Sequence, residues 1–493
     1  MSHPPSAATG QHTLKREFSL LSSFTFAFAF ISPIVALYGI FALAITTAGP
    51  SFWWAFPIVF VGQMFVALVF AMLVSRWPYE GSIYQWSRRL LGTGWGWFAG
   101  WAYMWTLVIA MATVALGAAG FIAHVVGVDD ATATQRALIA FVILLFGTAI
   151  NLAGRSALKA FMTASIIAEI LGSIGLGAWL LIFHRNNSLE VLTTGNGEGG
   201  YLSLSGPFLI ALAFVGFSFV GFESAGAIAE EVHEPRRNLP KAVIFSLTFI
   251  ALVVMFASLA IILAIPDMAA VTSGEEADPV TATLSSQLGS GIAKPVELLF
   301  VIGFLASFLA LQTSASRMIW SYARDGAFPA SHVLSRLSAG QRLPVPALLV
   351  TTVIGAVLFL LSNLASDVYT LMVNFSAGGF FLAFLFPLVG AMVALLRGSW
   401  RAGQFSLGGA TLPVTAVATV WVVLQFFNIA WPRKVFEERY LDWSVFIIIG
   451  VLAVVGTAIY ASVRSRIDAP SVVEDEARSD EADDAGSMAP AER

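Results

Sequence analysis

The chain has 493 residues, of which 58% are hydrophobic and only 11% charged, with a formal net charge of −4. Soluble globular proteins carry about 25% charged residues, so a soluble fold of this length would lack the charges to cover its surface, whereas lipid tolerates such a surface. The lack of cysteine excludes disulfides and thiolate metal sites, and no nucleic-acid partner is expected.

Residues 1–17 contain no apolar core and read as a disordered cytoplasmic tail rather than a cleavable signal peptide. A membrane span needs about twenty mostly apolar residues, at about 1.5 Å each, to cross roughly 30 Å of hydrocarbon. That rule predicts spans at 18–44, 52–74, 95–122, 136–152, 159–183 and 206–230 in the first half. The second half gives 240–265, 292–316, 347–363, 368–396, 411–430 and 441–463. Residues 464–493, with the run VVEDEARSDEADD, read as an acidic disordered tail. The expectation is an all-α membrane protein of about twelve transmembrane helices over 18–463, with the lipid bilayer as its surroundings.

Orientation follows from basic residues, which favour the cytoplasmic side. With a cytoplasmic N-terminus the inner segments hold eighteen Lys and Arg, and the outer loops hold six: Arg136, Arg185, Lys294, Arg433, Lys434 and Arg439. The outer loop 266–291 carries Asp267, Glu275, Glu276 and Asp278 and no base. A multi-pass protein of the plasma membrane with both termini cytoplasmic is expected, against which only the Arg433/Lys434/Arg439 cluster argues.

Two spans contain material for a break. In the first, Phe30-Ile31-Ser32-Pro33-Ile34-Val35-Ala36 places a proline where it removes a backbone donor and clashes with the carbonyl four residues back. The ladder should open between Ala29 and Pro33, with Ser32 able to satisfy freed groups. In the sixth, Gly216-Phe217-Ser218-Phe219-Val220-Gly221 sets two glycines beside Glu223. Pro and Gly also merely kink membrane helices. Breaks in spans one and six together, however, fit a transporter of inverted repeats whose site lies between broken helices. The candidate substrate-binding residues are Ser32, Pro33, Ile34, Val35, Ala36, Phe217, Ser218, Phe219 and Gly221.

Glu169, mid-way along the fifth span, and Glu223 are carboxylates at membrane depth. Such a group costs about 2.5–3.5 kcal/mol on insertion scales and marks function by default. Hydrocarbon disfavours the charged form, which suits a proton carrier, and both residues are candidates for coupling. A protonated Glu that hydrogen-bonds a neighbouring helix is the alternative. Glu230 and Glu231, beside Arg236 and Arg237, read as gate or loop ion pairs.

Among the 40 Phe and 14 Trp, Trp53, Trp54, Trp95, Trp97, Trp101 and Trp431 fall near predicted interfaces, where aromatic belts form. Phe217 and Phe219 differ because a ring in a break can close over a substrate. Gly96 and Gly100 have the spacing of a close helix approach. The histidines (His3, His12, His124, His184, His233 and His332) fall in tails, loops or span ends, so no metal centre is expected. No Walker loop, GxSxG, HExxH or dinucleotide fingerprint is present, so neither an enzyme nor a cofactor is expected.

Several segments resemble the amino acid/polyamine/organocation permease superfamily, and within it the amino acid and choline transporter group that includes GABA permeases. They are SASRMIWSYARDGAFPASHVLSRL with LPVPALL after the eighth span, GFESAGAIAEEVHEPRRNLPKAV, RWPYEGSIYQWSRRLLG and GQFSLGGATLPV. Together they run from about Phe18 to Tyr460. The resemblance implies the LeuT-type fold, a five-plus-five inverted repeat with two additional helices, and secondary transport by alternating access. It also implies that backbone groups of the first and sixth breaks hold a substrate's carboxylate and amine. Many relatives have Gly-x-Gly at the first break, where this chain has Ser-Pro-Ile-Val-Ala and Pro33 offers no N–H. Glu169 falls where relatives carry a basic residue, which reverses the local charge in favour of a cationic substrate, a bound sodium ion or a proton. The expected substrate is a small molecule, an amino acid or amine. An uncoupled facilitator or exchanger and a non-transporting membrane sensor are the competing readings.

Overall fold

Twelve helices long and apolar enough to cross a bilayer run through the computed structural model, which describes residues 14–128, 131–196, 200–276, 278–364, 366–433 and 438–467. Spans 1 to 6 are Leu20–Tyr38, Pro50–Arg76, Thr93–Val125, Ala133–Ala153, Arg155–Phe183 and Pro207–Glu231. Spans 7 to 12 are Pro235–Ala264, Gly291–Arg324, Val345–Leu364, Leu371–Leu396, Gly408–Ala430 and Ser444–Arg466. Most of both predicted tails lies outside the described residues. Among those residues the only β pairing is an isolated bridge between Phe18 and Val232. Helices suit this composition because they satisfy their backbone polar groups internally, as hydrocarbon requires.

The arrangement fits five helices plus five, with two added. Spans 1 and 6, which open the two groups, are both broken. Spans 3 and 8, third in each group, are the longest at 33 and 34 residues and pack along one another. Spans 1, 6 and 8 are among the most enclosed and span 12 is the least. Side chains such as Val353, Leu360, Leu424, Val451 and Val454 therefore remain exposed on the periphery, where lipid replaces a protein neighbour.

Three local expectations change in three dimensions. Span 8 runs as helix to Arg324 rather than ending near residue 316, because Met318, Ile319, Trp320, Tyr322 and Ala323 are all buried and keep the ridge packed. Trp97 and Trp101 are not belt residues. They are buried, and their indole N–H groups donate to the carbonyls of Ala327 at 2.8 Å and Leu452 at 2.9 Å. Trp54, Trp95 and Trp431 are exposed. Gly96 and Gly100 do mark a close approach: a Cβ would lie 2.4 Å from Arg88 Cα at the first and 2.5 Å from Tyr322 at the second.

Candidate functional site

Span 1 breaks at Ser32, a residue earlier than the proline itself. Leu20–Ile31 is one helix and Pro33–Tyr38 another, and Ser32 between them has φ 48° and ψ 111°. A non-glycine residue with positive φ is a strained conformation that its surroundings must hold, and here they do. The Ser32 N–H donates to Phe28 O at 2.9 Å, and its hydroxyl accepts from Val35 N–H at 3.3 Å. Glu169 reaches in from span 5: Ser32 Oγ donates to its Oε1, and Ile34 N–H donates to its Oε2 at 3.1 Å. Directly after Glu169 span 5 loosens into a π-helical turn, Ile170–Gly175, a feature common where a helix is bent to serve a site. Gly303 of span 8 closes the back of this nest, since a Cβ there would lie 2.8 Å from Glu169 Oε1.

Span 6 breaks after Gly216. The backbone tightens over Phe217–Phe219, extends at Val220 and turns at Gly221 with φ 111°. Glycine is required there twice over, by the positive φ and because a Cβ would lie 2.3 Å from the Phe30 ring. Glu223 caps this turn: its Oε2 accepts from Gly221 N–H at 2.9 Å and its Oε1 from Tyr103 OH at 3.1 Å. Ser218 Oγ donates to Ala36 O at 2.6 Å and so ties the second break to the first. Each break is thus closed by one buried carboxylate and cross-linked by a hydroxyl.

A cavity of about 470 Å³ leads to this junction from the end of the bundle away from both termini. Its mouth includes Trp431, Arg433, Leu441 and Asp442, and its depth Val35, Tyr38, Phe217 and Phe304. A much smaller pocket continues below, walled by Phe30, Ile31, Val35, Phe217, Ser307 and Phe380 among others. Of the predicted binding residues, Val35 and Phe217 line both spaces. Ser32, Pro33, Ile34, Ala36, Ser218 and Gly221 shape the breaks without lining either. Phe219 points elsewhere, with its ring against Phe56 and Phe60 of span 2 at centroid distances of 6.1 and 6.4 Å. At the mouth, partial burial draws the Arg433 guanidinium below its ordinary pKa, and it donates to Asn428 and to Leu204 O.

The opposite end is shut by charge. Glu231, fully buried, accepts from Arg155 of span 5 and, at 2.9 Å, from Arg317 of span 8. Glu230 pairs with Arg324 at 2.7 Å, and Arg88 pairs with Asp325. Glu17 and Phe18 lay their N–H groups on Glu231 O at 2.8 and 2.9 Å, and Arg466 O lies against Gly326, so both described chain ends sit at this gate. The gate partners differ from the sequence expectation: Arg237 pairs with Glu234, while Glu230 and Glu231 find arginines brought from other spans.

An amino acid permease family model matches residues 18–456, nearly the whole membrane domain. The chain belongs to that family. Similar proteins include a rice protein named as an amino-acid permease BAT1 homolog (Oryza sativa subsp. japonica), 26% identical over 83% of this chain and 83% of its own. The branched-chain amino acid permease BcaP of Bacillus subtilis is 26% identical over 89% of this chain and 92% of its own. These relatives are named as permeases, so this permease is a transporter in kind and not an enzyme.

Several residues of the permease site escaped the sequence reading. Tyr103, Asn374 and Ser376 are polar groups inside apolar runs, a signal that could have found them. Asn374 donates to Ser444 Oγ at 3.1 Å, and Thr113 meets Ser376 at 3.3 Å on the cavity wall. Phe304 and Phe380 carried no such signal, because an aromatic ring in a span is ordinary.

Proposed function

We propose that this permease is a secondary transporter that moves amino acids or related small amines across the plasma membrane by alternating access, coupled to a proton or a cation. The observation that carries the reading is the asymmetry of access: one end opens through a cavity to two broken helices, and the other is closed by buried ion pairs. Opening one end while closing the other around breaks in spans 1 and 6 is the motion expected of such an architecture. The basic asymmetry of the loops supports placing the gate and both termini in the cytoplasm. The cavity then faces outward. The substrate sits at the junction of Val35 and Phe217, over the breaks formed by Ser32 to Ala36 and Phe217 to Gly221. Glu169 and Glu223 are the coupling candidates, because each bridges a break to another span and would be rehydrated differently when the breaks move.

Purified permease in proteoliposomes tests this, with labelled amino acids and amines and with proton and sodium gradients imposed separately. Accumulation above equilibrium under one gradient supports coupled transport. Equilibration without accumulation would replace it with a facilitator, and binding without flux with a sensor. At saturating substrate, Glu169→Gln should still exchange substrate for substrate but no longer concentrate it. Full accumulation by that variant would leave Glu169 a structural cap.

A further inference from the structure

Arg76 closes span 2 at the gate end of the bundle, away from the cavity. An arginine at a helix C-terminus complements the dipole there and ordinarily extends its charged head into water. Arg76 is covered by two indoles instead. Its Cζ lies 4.4 Å from the centroid of the Trp77 ring and 5.6 Å from that of Trp400. The two rings stand at 88° with centroids 6.3 Å apart, so they form the walls of a corner. Nη1 is buried and has no hydrogen-bond partner. Among the described residues no Asp or Glu pairs with this guanidinium.

Contacts between distant segments hold the corner in place. Phe405 N–H donates to Ser75 Oγ at 2.7 Å, and Gly403 lies so close that a Cβ would be 2.7 Å from Arg76 N. Trp77 O accepts from the Trp86 indole at 3.0 Å. Arg401, next to Trp400, is exposed and close enough to repel Arg76. The segment 397–410 that carries it adds Arg397 and no acid. Glu80 is four positions from Arg76, but its buried carboxyl lies among Glu230, Glu231, Arg317 and Arg324. Glu230, Glu231 and Asp325 are themselves engaged by Arg324, Arg155, Arg317 and Arg88.

Two guanidiniums without an acid between them, one with an enclosed donor left over, favour an anion. Phosphate suits them, because its oxygens accept the parallel N–H bonds of an arginine. Indoles at the end of a span sit at the level of lipid headgroups, so the phosphate within reach is that of a phospholipid. A zwitterionic headgroup sets its own cation against Arg401, whereas an anionic one offsets both charges. We propose that Arg76, Arg401, Trp77 and Trp400 form a binding site for an anionic phospholipid in the leaflet at the gate end. The site is separate from the substrate path and does not depend on what the permease carries.

Full-length permease, stripped of lipid in an uncharged detergent, tests this with three probes: phosphatidylglycerol, phosphatidylcholine of the same acyl chains, and inorganic phosphate. Thermal midpoint and native mass spectrometry are the readouts. Phosphatidylglycerol should raise the midpoint, persist as a bound adduct and outcompete phosphatidylcholine. Arg76→Gln and Arg401→Gln should each weaken its binding about five-fold. Equal binding of the two lipids overturns the proposal, as does an equal shift with inorganic phosphate, which would make this a site for a free anion. Unchanged phosphatidylglycerol affinity in Arg401→Gln, an exposed position where the fold survives, overturns it whatever Arg76→Gln does. Arg336→Gln removes the same charge from an exposed position elsewhere at this end and should leave binding unchanged. An equal loss there would replace the site with the general attraction of basic loops for the leaflet.

Discussion

The two ends of this permease are built from different chemistry. The cavity end is lined largely by apolar and aromatic side chains, with short hydroxyl and amide contacts such as Thr113 to Ser376 and Asn374 to Ser444. The gate end is built from Arg155, Arg317, Arg324 and Arg88 against Glu231, Glu230 and Asp325. Apolar contacts are non-directional and can be parted and remade at many spacings. Buried ion pairs depend on geometry, and one that loses its partner leaves a charge the surroundings cannot solvate. The gate end should therefore behave as a two-position latch, and the cavity end as a surface that adapts to what enters.

The largest test of that contrast is Arg155→Ala. It strips one of the two arginines from fully buried Glu231 and should cost about 3–5 kcal/mol, seen as a lower thermal midpoint. Because the chain contains no cysteine, Ser316→Cys beside Arg317 should then become reactive to a water-soluble maleimide. A latch that stays protected with Arg155 removed would end the two-position picture. Phe219→Ala should destabilise by a similar amount, about 3–5 kcal/mol for a buried ring, yet leave substrate affinity unchanged, since the ring packs on Phe56 and Phe60. A fall in affinity at constant stability would move Phe219 back into the site.

Gly221→Leu sharpens the cavity side. The φ of 111° and the Phe30 ring at 2.3 Å from a Cβ make the substitution cost about 1–3 kcal/mol of strain and overpacking. Substrate binding should be lost while membrane insertion survives; retained affinity would show that the second break does not shape the pocket.

Glu80, in the segment between spans 2 and 3, gives the gate a pH dependence. Its N–H donates to Glu230 Oε1 at 3.2 Å and its carbonyl accepts from Ser321 at 2.7 Å, but both carboxyl oxygens are buried without a hydrogen-bond partner. Burial first, then Glu231 and Glu230, raise its pKa well above the ordinary carboxylate value, with Arg317 and Arg324 opposing. An acid whose pKa is raised by folding stabilises fully below its unfolded pKa of about 4.3, and the contribution is lost as pH rises through the folded value. Thermal midpoints should thus fall with rising pH above that range, and Glu80→Gln should flatten the decline. An identical slope in both proteins would assign the dependence to another group.

The smallest effect is expected far from both regions. Thr132 and Gln135 form a capping box at the start of span 4, so Thr132→Ala should cost about 1 kcal/mol and change neither transport nor gate accessibility. A change in either would couple the peripheral span to the moving core.

The sequence by itself determined the twelve spans and the places where two of them break, because both follow from local properties. Hydrocarbon thickness sets a run length, and Ser32-Pro33 and the glycines around Phe217 to Gly221 weaken a helix where they stand, although Pro240 and Pro387 remain inside continuous helices. It also marked Glu169 and Glu223, since a carboxylate in an apolar run is visible without neighbours. Only the tertiary structure decided what each touches. Ser32 takes the strained conformation because Glu169, 137 positions away, holds its hydroxyl. Phe217 and Phe219 lie two apart on one tight turn and so point to different sides; only the packing of span 6 decides that Phe217 lines the cavity while Phe219 meets Phe56 and Phe60 of span 2. Glu231 pairs with Arg155 and Arg317 rather than the nearby Arg236 and Arg237, because the packing of spans 5, 6 and 8 sets which charges share a water-free space, and distance along the chain does not.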